Sequence, residues 1–453
     1  MSNRRFPITR GASTRACSQI ATQTLGLTFV LGIVGTAHAA LPTGIAVNVD
    51  TATGLSAGNA LRNTCITGRN AGNQFQTDCN AIFGSPAGVA ANAVNQVAAD
   101  QASAQNAAAT RQFRTSLGAI GGRLAQIRLS GQPANGDVVS IAQNGDTLSL
   151  SGGGASADGT VGALGGFATI KYRTGDHDLT DYQPGFDFDG WALIGGVDYR
   201  LSEDMVAGVA LSYMQDDVDY AGGRGDMSSD AWGITVYGTW YQGEALFIDG
   251  MLGYGSTDYD LKRRLSYVAG AQTVNQVASS DADGSLLTMS IGGGYNIANG
   301  STTYTPLVRL DYARNKVDGF TESMSNPAAA GGSMAVQIDD ATYKSLTSRL
   351  GLQVAHAFSH SGGVVQPSIQ VDWVHEFQND QETVSGRYIS DILNNGTPFF
   401  LFTDNPDRNY FDVQVAVSGQ FADGVSGFLS YNTLLGFDDL TYHAVNAGVR
   451  LEF

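Results

Sequence analysis

The groups in this chain able to do acid–base or nucleophilic chemistry are few and dispersed. Five of its six histidines, His177, His356, His360, His375 and His443, fall in different segments of the last two-thirds. A hydrolytic site needs a base, an acid and a nucleophile within hydrogen-bond reach of one another. Asp176-His177-Asp178 has no serine partner nearby and reads as turn composition. His375 and His443 sit on the apolar side of alternating segments, a place for interface residues rather than bases. No enzyme activity, metal or cofactor is expected from this distribution.

Asn144-Gly145-Asp146-Thr147-Leu148-Ser149 is similar to the nucleophile block of secreted GDSL-type esterases, but threonine stands at position 147 where the serine nucleophile belongs. No companion Asp-x-x-His follows in a soluble domain of adequate size, and Asn-Gly-Asp before a strand is ordinary turn chemistry. Cysteine is used sparingly. Cys17 lies before the apolar core of the leader, which leaves Cys65 and Cys79. An even pair in an exported chain is expected to form a disulfide. Closing a loop of about 15 residues contributes roughly 3 kcal/mol in the chain-entropy model. A metal site is disfavoured because no histidine lies between Thr43 and Ser140.

Export is legible at the start. Arg4, Arg5, Arg10 and Arg15 precede an apolar core over 25–35, and Ala37-His38-Ala39 supplies a small-x-small cleavage pattern. Residues 1–39 are therefore expected to be a signal peptide handled by the general secretion machinery and cut between Ala39 and Ala40. Its loss removes four arginines and no acid, so the rest is more acidic than the whole chain's net charge of −17. That balance excludes a basic nucleic-acid-binding face.

The elements that would position anything lie between about 161 and 453. Short segments alternate oily and polar residues and are divided by Gly- and Asp-rich turns. Trp191, Leu193, Val197 and Tyr199 interleave with Ala192, Gly196, Asp198 and Arg200; Val365, Ile369, Val371, Trp373 and Phe377 oppose Gln366, Gln370, Asp372 and Glu376. About a dozen such segments occur, each near the ten residues a tilted strand needs to cross a bilayer. The chain is 43% hydrophobic with a mean hydropathy of −0.08, which excludes a bundle of spanning helices. The fold expected is an all-β transmembrane barrel of about 12 antiparallel strands in lipid. Its polar face should line the lumen with Asp198, Arg200, Asp249, Arg309, Asp311, Arg349, Asp372, Glu376, Asp412, Arg450 and Glu452. Polar connections over 261–283, 320–342 and 379–407 should face outward, and short turns such as Ser202-Glu203-Asp204 inward.

Upstream, residues 40–91 hold few large apolar side chains, too few for a core of any size. Residues 92–130 are rich in Ala and Gln without proline and should form a helix, with Gly121-Gly122 as a break or kink. Its Arg111, Arg114, Arg123 and Arg128 suit a position inside an acidic barrel, as a helical linker in the pore. Residues 131–160 read as a flexible Gly/Ser/Asn linker.

This arrangement resembles the autotransporters, the type V secretion proteins of Gram-negative bacteria. The likeness rests on Gly166-Phe167, the 191–200 segment, Arg349-x-Gly351-x-Gln353 and the final Val445-x-Ala447-x-Val449-x-Leu451-x-Phe453. It implies an outer-membrane translocator that anchors in the membrane and exports or displays its own short N-terminal segment. It also implies that Val449, Leu451 and Phe453 form the address read by the barrel-assembly machinery. The segment before the barrel is shorter than is usual in that family. No Asn-Asn pair falls within 92–130, since Asn394-Asn395 lies in a later loop, so the segment is expected to remain attached. The alternative is a passive channel or structural barrel plugged by its N-terminal helix. In either case a monomer is expected.

Overall fold

Segments with apolar residues at every second position have one face that water will not cover, and in lipid every backbone donor and acceptor must be paired within the protein. A computed structural model of the chain describes residues 40–67, 70, 72–130, 141–143, 146–148, 164–243, 245–360, 363–392, 397–421 and 425–452. Both demands are met by a closed, twelve-stranded antiparallel barrel. Its strands are β1 (Leu164–His177), β2 (Phe186–Ser202), β3 (Met205–Tyr220), β4 (Gly225–Gln242), β5 (Leu246–Ala269) and β6 (Gln272–Tyr295). The circuit continues with β7 (Thr302–Val317), β8 (Ala341–His356), β9 (Gly363–Glu376), β10 (Asn409–Phe421), β11 (Val425–Leu435) and β12 (Leu440–Glu452). Each strand pairs with the next, and β12 closes on β1 from Leu440↔His177 to Glu452↔Gly165. Closure leaves no free edge.

The two faces separate cleanly. Leu193, Val197, Ile234, Leu252, Ile291, Leu350, Val415, Leu429 and Val449 are exposed on the outside, where lipid covers them. Aromatic residues mark the band's limits. Trp191, Tyr213 and Trp232 touch across three neighbouring strands, with ring centroids 5.2 and 4.6 Å apart. Tyr199, Trp240, Tyr295 and Tyr304 lie toward the opposite ends of their strands. These are the interfacial girdles expected of such barrels.

One expectation about the connections needs correction. Residues 261–283 are not a loop: β5 and β6 run on as a 24-residue pair to Ala269↔Gln272. The alternation persists there, with Leu261, Leu265, Tyr267, Val274 and Ala278 buried. The outward positions carry Asp258, Asp260, Lys262 and Arg264 instead of oily groups, because this part of the hairpin stands beyond the lipid. The other long connections build a four-stranded sheet, Phe320–Thr321, Val336–Ile338, Thr383–Tyr388 and Pro398–Phe402, at the same end.

The N-terminal region differs from its sequence reading more than the barrel does. Residues 40–97 form α1 (Thr43–Ala46), α2 (Ala52–Ile66), α3 (Gln74–Phe83) and α4 (Ala87–Val97). Thr51 and Asn73 cap α2 and α3 by accepting from Gly54 N and Gln76 N. Cys65 and Cys79 are joined by a disulfide that ties α2 to α3. The helices do bury a core, with Leu41, Leu61, Phe75, Ile82, Val94 and Val97 inside, because the barrel's long connections complete it. The expected helix over 92–130 is also not continuous. The chain breaks at Ala98, Ala99 takes a left-handed conformation (φ 55°), and a short 3₁₀ turn over Asp100–Ser103 leads into α5 (Ala104–Ser130). Gly121-Gly122 does not break α5, whose 27 residues span about 40 Å. Ala39 and Phe453, with the leader, most of 131–163 and the expected cleavage step, lie outside the described residues.

Candidate functional site

The site is the lumen and the helix that fills it. Helix α5 reaches side chains on strands all round the barrel, so it runs through the interior. Near its start, Gln112 donates to Ser229 Oγ on β4 (3.3 Å) and accepts from Thr257 Oγ1 on β5 (3.0 Å). Arg173 of β1 donates to Thr115 Oγ1 at 2.6 Å and lies 3.0 Å from Asp216 Oδ1 of β3. Arg111 approaches the same carboxylate at 3.8 Å and stacks over Phe188, 4.2 Å from the ring centre. On the far side Arg114 donates to Tyr410 OH at 3.0 Å and lies over that ring. Two turns further on, Arg123 donates from Nε to Asp198 Oδ2 at 2.8 Å, packed over Phe167. Arg128 is in the helix, but its side chain lies outside the described residues.

The helix is seated off-centre. Phe113, Leu117, Ile120 and Leu124 pack against Phe167, Ala192, Ile194, Ala210, Met214 and Ala231. Small inward residues on β2 to β4 let the helix approach that wall. The lumen is therefore not polar all round, a seam that alternation alone does not disclose. On its other side α5 presents Gly118, Gly121 and Gly122 to a cavity of about 160 Å³ bounded by β7 to β12 and β1. A methyl group at Gly121 would lie 2.7 Å from Arg309 Nη1, so this glycine makes room for the guanidinium.

The residues predicted to line the lumen divide into three groups. Arg349 of β8 gathers three carboxylates: Asp311 at 3.0 Å, Asp412 at 2.9 Å and Asp372 at 3.9 Å. Arg309 lies 3.8 Å from Asp249, and Ser290 donates to Asp311 at 2.6 Å. These form a charged wall facing the glycine side of α5. Asp198, Arg200 and Arg450 are buried toward the short-turn end, Arg200 donating to Glu203 O at 2.9 Å. Glu376 stands apart at the top of β9, fastening the strand end by accepting from Ser345 Oγ, Leu346 N and Gln378 N. Glu452 pairs in the sheet with Gly165; its side chain is not among the described ones. Val449 and Leu451 face outward on β12.

Lys171, Arg173 and Asp216, not predicted for the lumen, are also buried there. The alternation Thr169-Ile170-Lys171-Tyr172-Arg173 on β1 carried the signal for the first two. At the outer mouth, burial raises the Asp404 carboxyl above the usual range, although Thr180 donates to it at 2.6 Å and His177 lies 3.4 Å away. Of the histidines on the outer wall, His375 bonds Asn409 (2.9 Å) and His443 bonds Tyr431 (2.7 Å), both among aromatic rings.

A sequence model of the autotransporter β-domain matches residues 166–432. The chain belongs to the autotransporters. Its barrel accordingly lies in the outer membrane of Gram-negative bacteria and serves as a translocator domain. The autotransporter is 27% identical over 301 residues to the esterase EstA of Pseudomonas aeruginosa, and equally so to EstA of Pseudomonas putida. Those alignments cover 65% of this autotransporter and 43% of each esterase, so it spans less than half the length of these relatives. The translocator domain of the autotransporter NalP from Neisseria meningitidis superposes with a TM-score of 0.50 at 16% identity, over 64% of this chain and 89% of that one. That likeness is one of fold.

Proposed function

We propose that this autotransporter carries its own N-terminal helical domain across the outer membrane and displays it there, with α5 retained in the lumen as the tether. The direction of α5 carries the reading. It leaves the helical domain among the long connections, and its Arg123 meets Asp198 close to the turn at residues 203–204, at the end where the short turns lie. Barrels of this kind turn long loops outward and short turns to the periplasm. The helical domain has few large apolar groups of its own, which suits passage as an extended or hairpin segment.

Further parts of the reading follow from the same arrangement. The leader passes through the general secretion machinery. Val449, Leu451 and Phe453 serve as the address for the barrel-assembly machinery, and the barrel works as a monomer. Its work is mechanical rather than catalytic. The esterase activity named for the two relatives is not part of this reading, in which His375 and His443 bond Asn409 and Tyr431 on the outer wall.

An epitope inserted between Val47 and Asn48, both exposed, tests display. Antibody should bind intact cells. Binding only after the outer membrane is permeabilised would defeat the proposal. The cavity beside α5 supports a second reading, a passive channel with a helical plug. Steady ion conductance by the purified barrel, together with a hidden epitope, would favour it.

A further inference from the structure

We infer that the barrel's outer mouth is the template on which the N-terminal helical domain folds, so that the translocator is also the foldase of what it displays. The C-terminal end of α4 carries the argument. A helix leaves its last carbonyls unpaired, and cationic side chains there answer both the missing hydrogen bonds and the negative end of the dipole. Three successive carbonyls of α4 are capped by the barrel. Asn95 O accepts from Arg224 at 2.7 Å, Gln96 O from Arg263 Nη1 at 2.9 Å, and Val97 O from Tyr388 OH at 3.1 Å. The donors come from three separate elements: the connection between β3 and β4, the tall β5–β6 hairpin, and the small outer sheet.

Arg224 also donates to Asp100 Oδ1 of the incoming segment at 2.6 Å, whereas Arg263 is set by the barrel's own contacts. Arg263 Nε bonds Glu322 at 2.9 Å and Nη2 bonds Met334 O at 3.0 Å, while Glu322 also accepts from Val336 N. Helix α2 is joined to the mouth in the opposite sense. Phe400 N and Phe402 N, on the free edge of the outer sheet, donate to Ser56 Oγ at 2.8 Å and Thr53 Oγ1 at 3.0 Å. An unpaired strand edge is thus satisfied by the incoming helix.

The apolar core is shared in the same way. Phe75 of α3 packs on Tyr388, which packs on Phe399, with centroids 5.8 and 5.4 Å apart. Tyr388 therefore serves both as a wall of the core and as a cap. A segment whose core and caps are supplied by the mouth stays unfolded until it arrives there, which is the condition for threading a lumen. The inference takes the place of folding in the cell from the display reading, but the contacts exist wherever the protein is assembled.

The test uses the full chain refolded in detergent micelles, where no side of a membrane is defined, so its outcome is independent of the epitope result. Pulse-labelled hydrogen exchange of the wild type should show the amides of α2, α3 and α4 gaining protection only after the barrel strands. In a Tyr388→Phe, Arg224→Gln double variant those helix amides should exchange at least tenfold faster at equilibrium, with strand protection and heat-modifiable gel mobility unchanged. Protection of the helices before the strands would overturn the inference. Helix protection in an assembled double variant equal to that of the wild type would overturn it too.

Discussion

Arg123 and Asp198 form a buried pair between the lumenal helix and the barrel wall, Nε to Oδ2 at 2.8 Å, with both side chains almost completely shielded from solvent. It lies about 18 Å along α5 from Arg111, which belongs to the upper cluster with Arg173 and Asp216. The helix is thus pinned near both ends.

Removing one member of such a pair strands a charge in a shielded place, which costs about 3–5 kcal/mol. Arg123→Met should therefore loosen the lower end of α5, raising ion conductance in planar bilayers. Arg123→Met combined with Asp198→Leu should recover much of the lost thermal stability, since no charge is then left alone. A single variant as stable and as closed as the wild type would argue against the pinning role.

The two central glycines of α5 should respond differently, Gly121→Ala gaining less stability than Gly122→Ala. Gly121→Ala brings a methyl group to 2.7 Å from Arg309 Nη1 and displaces the guanidinium from its place beside Asp249. A Cβ at Gly122 meets nothing within 4 Å, so Gly122→Ala should stabilise the helix by up to about 1 kcal/mol. Thermal unfolding of the two variants, followed by heat-modifiable mobility, measures the contrast.

Arg349 balances Asp311, Asp372 and Asp412 on three different strands. Arg349→Met should leave those carboxylates facing one another and lower the barrel's unfolding temperature. Arg349→Lys should rescue only part of the loss, because one ammonium cannot reproduce a planar fork that engages Asp311 through Nε and Asp412 through Nη1. Equal behaviour of Lys and Arg would show that net charge alone matters.

Reduction of Cys65–Cys79, or replacement of both by serine, should act on the helical domain alone. Loop closure of this size contributes roughly 3 kcal/mol. Hydrogen exchange should quicken in α2 and α3, and protease should cut there first, while the strands keep their protection.

Much of this protein could be read from residue order. The barrel was legible because lipid imposes a simple rule. Each exposed position, from Leu193 to Val449, must be oily, and its neighbours must not. Lumenal charges such as Asp198, Asp311 and Arg349 followed as the complement of that pattern, and the disulfide from an even pair of cysteines in an exported chain. What escaped were features that depend on which surfaces meet. Leu265 and Val274 look like parts of a loop because the residues beside them are polar, yet they cover the helical domain. Phe167 and Ile194 point inward against the rule because α5 offers them Ile120 and Leu124.

Sequence alone determined the ribbon, its period and its partner phase, since alternation along one strand is a local property set by backbone geometry. Only the tertiary structure decided where the helical domain finds its core, where the helix over 92–130 is interrupted, and which arginine answers which aspartate. Those outcomes depend on groups hundreds of residues apart, such as Val97 and Tyr388, and no local pattern carries the free energy of a contact whose other half lies elsewhere in the chain.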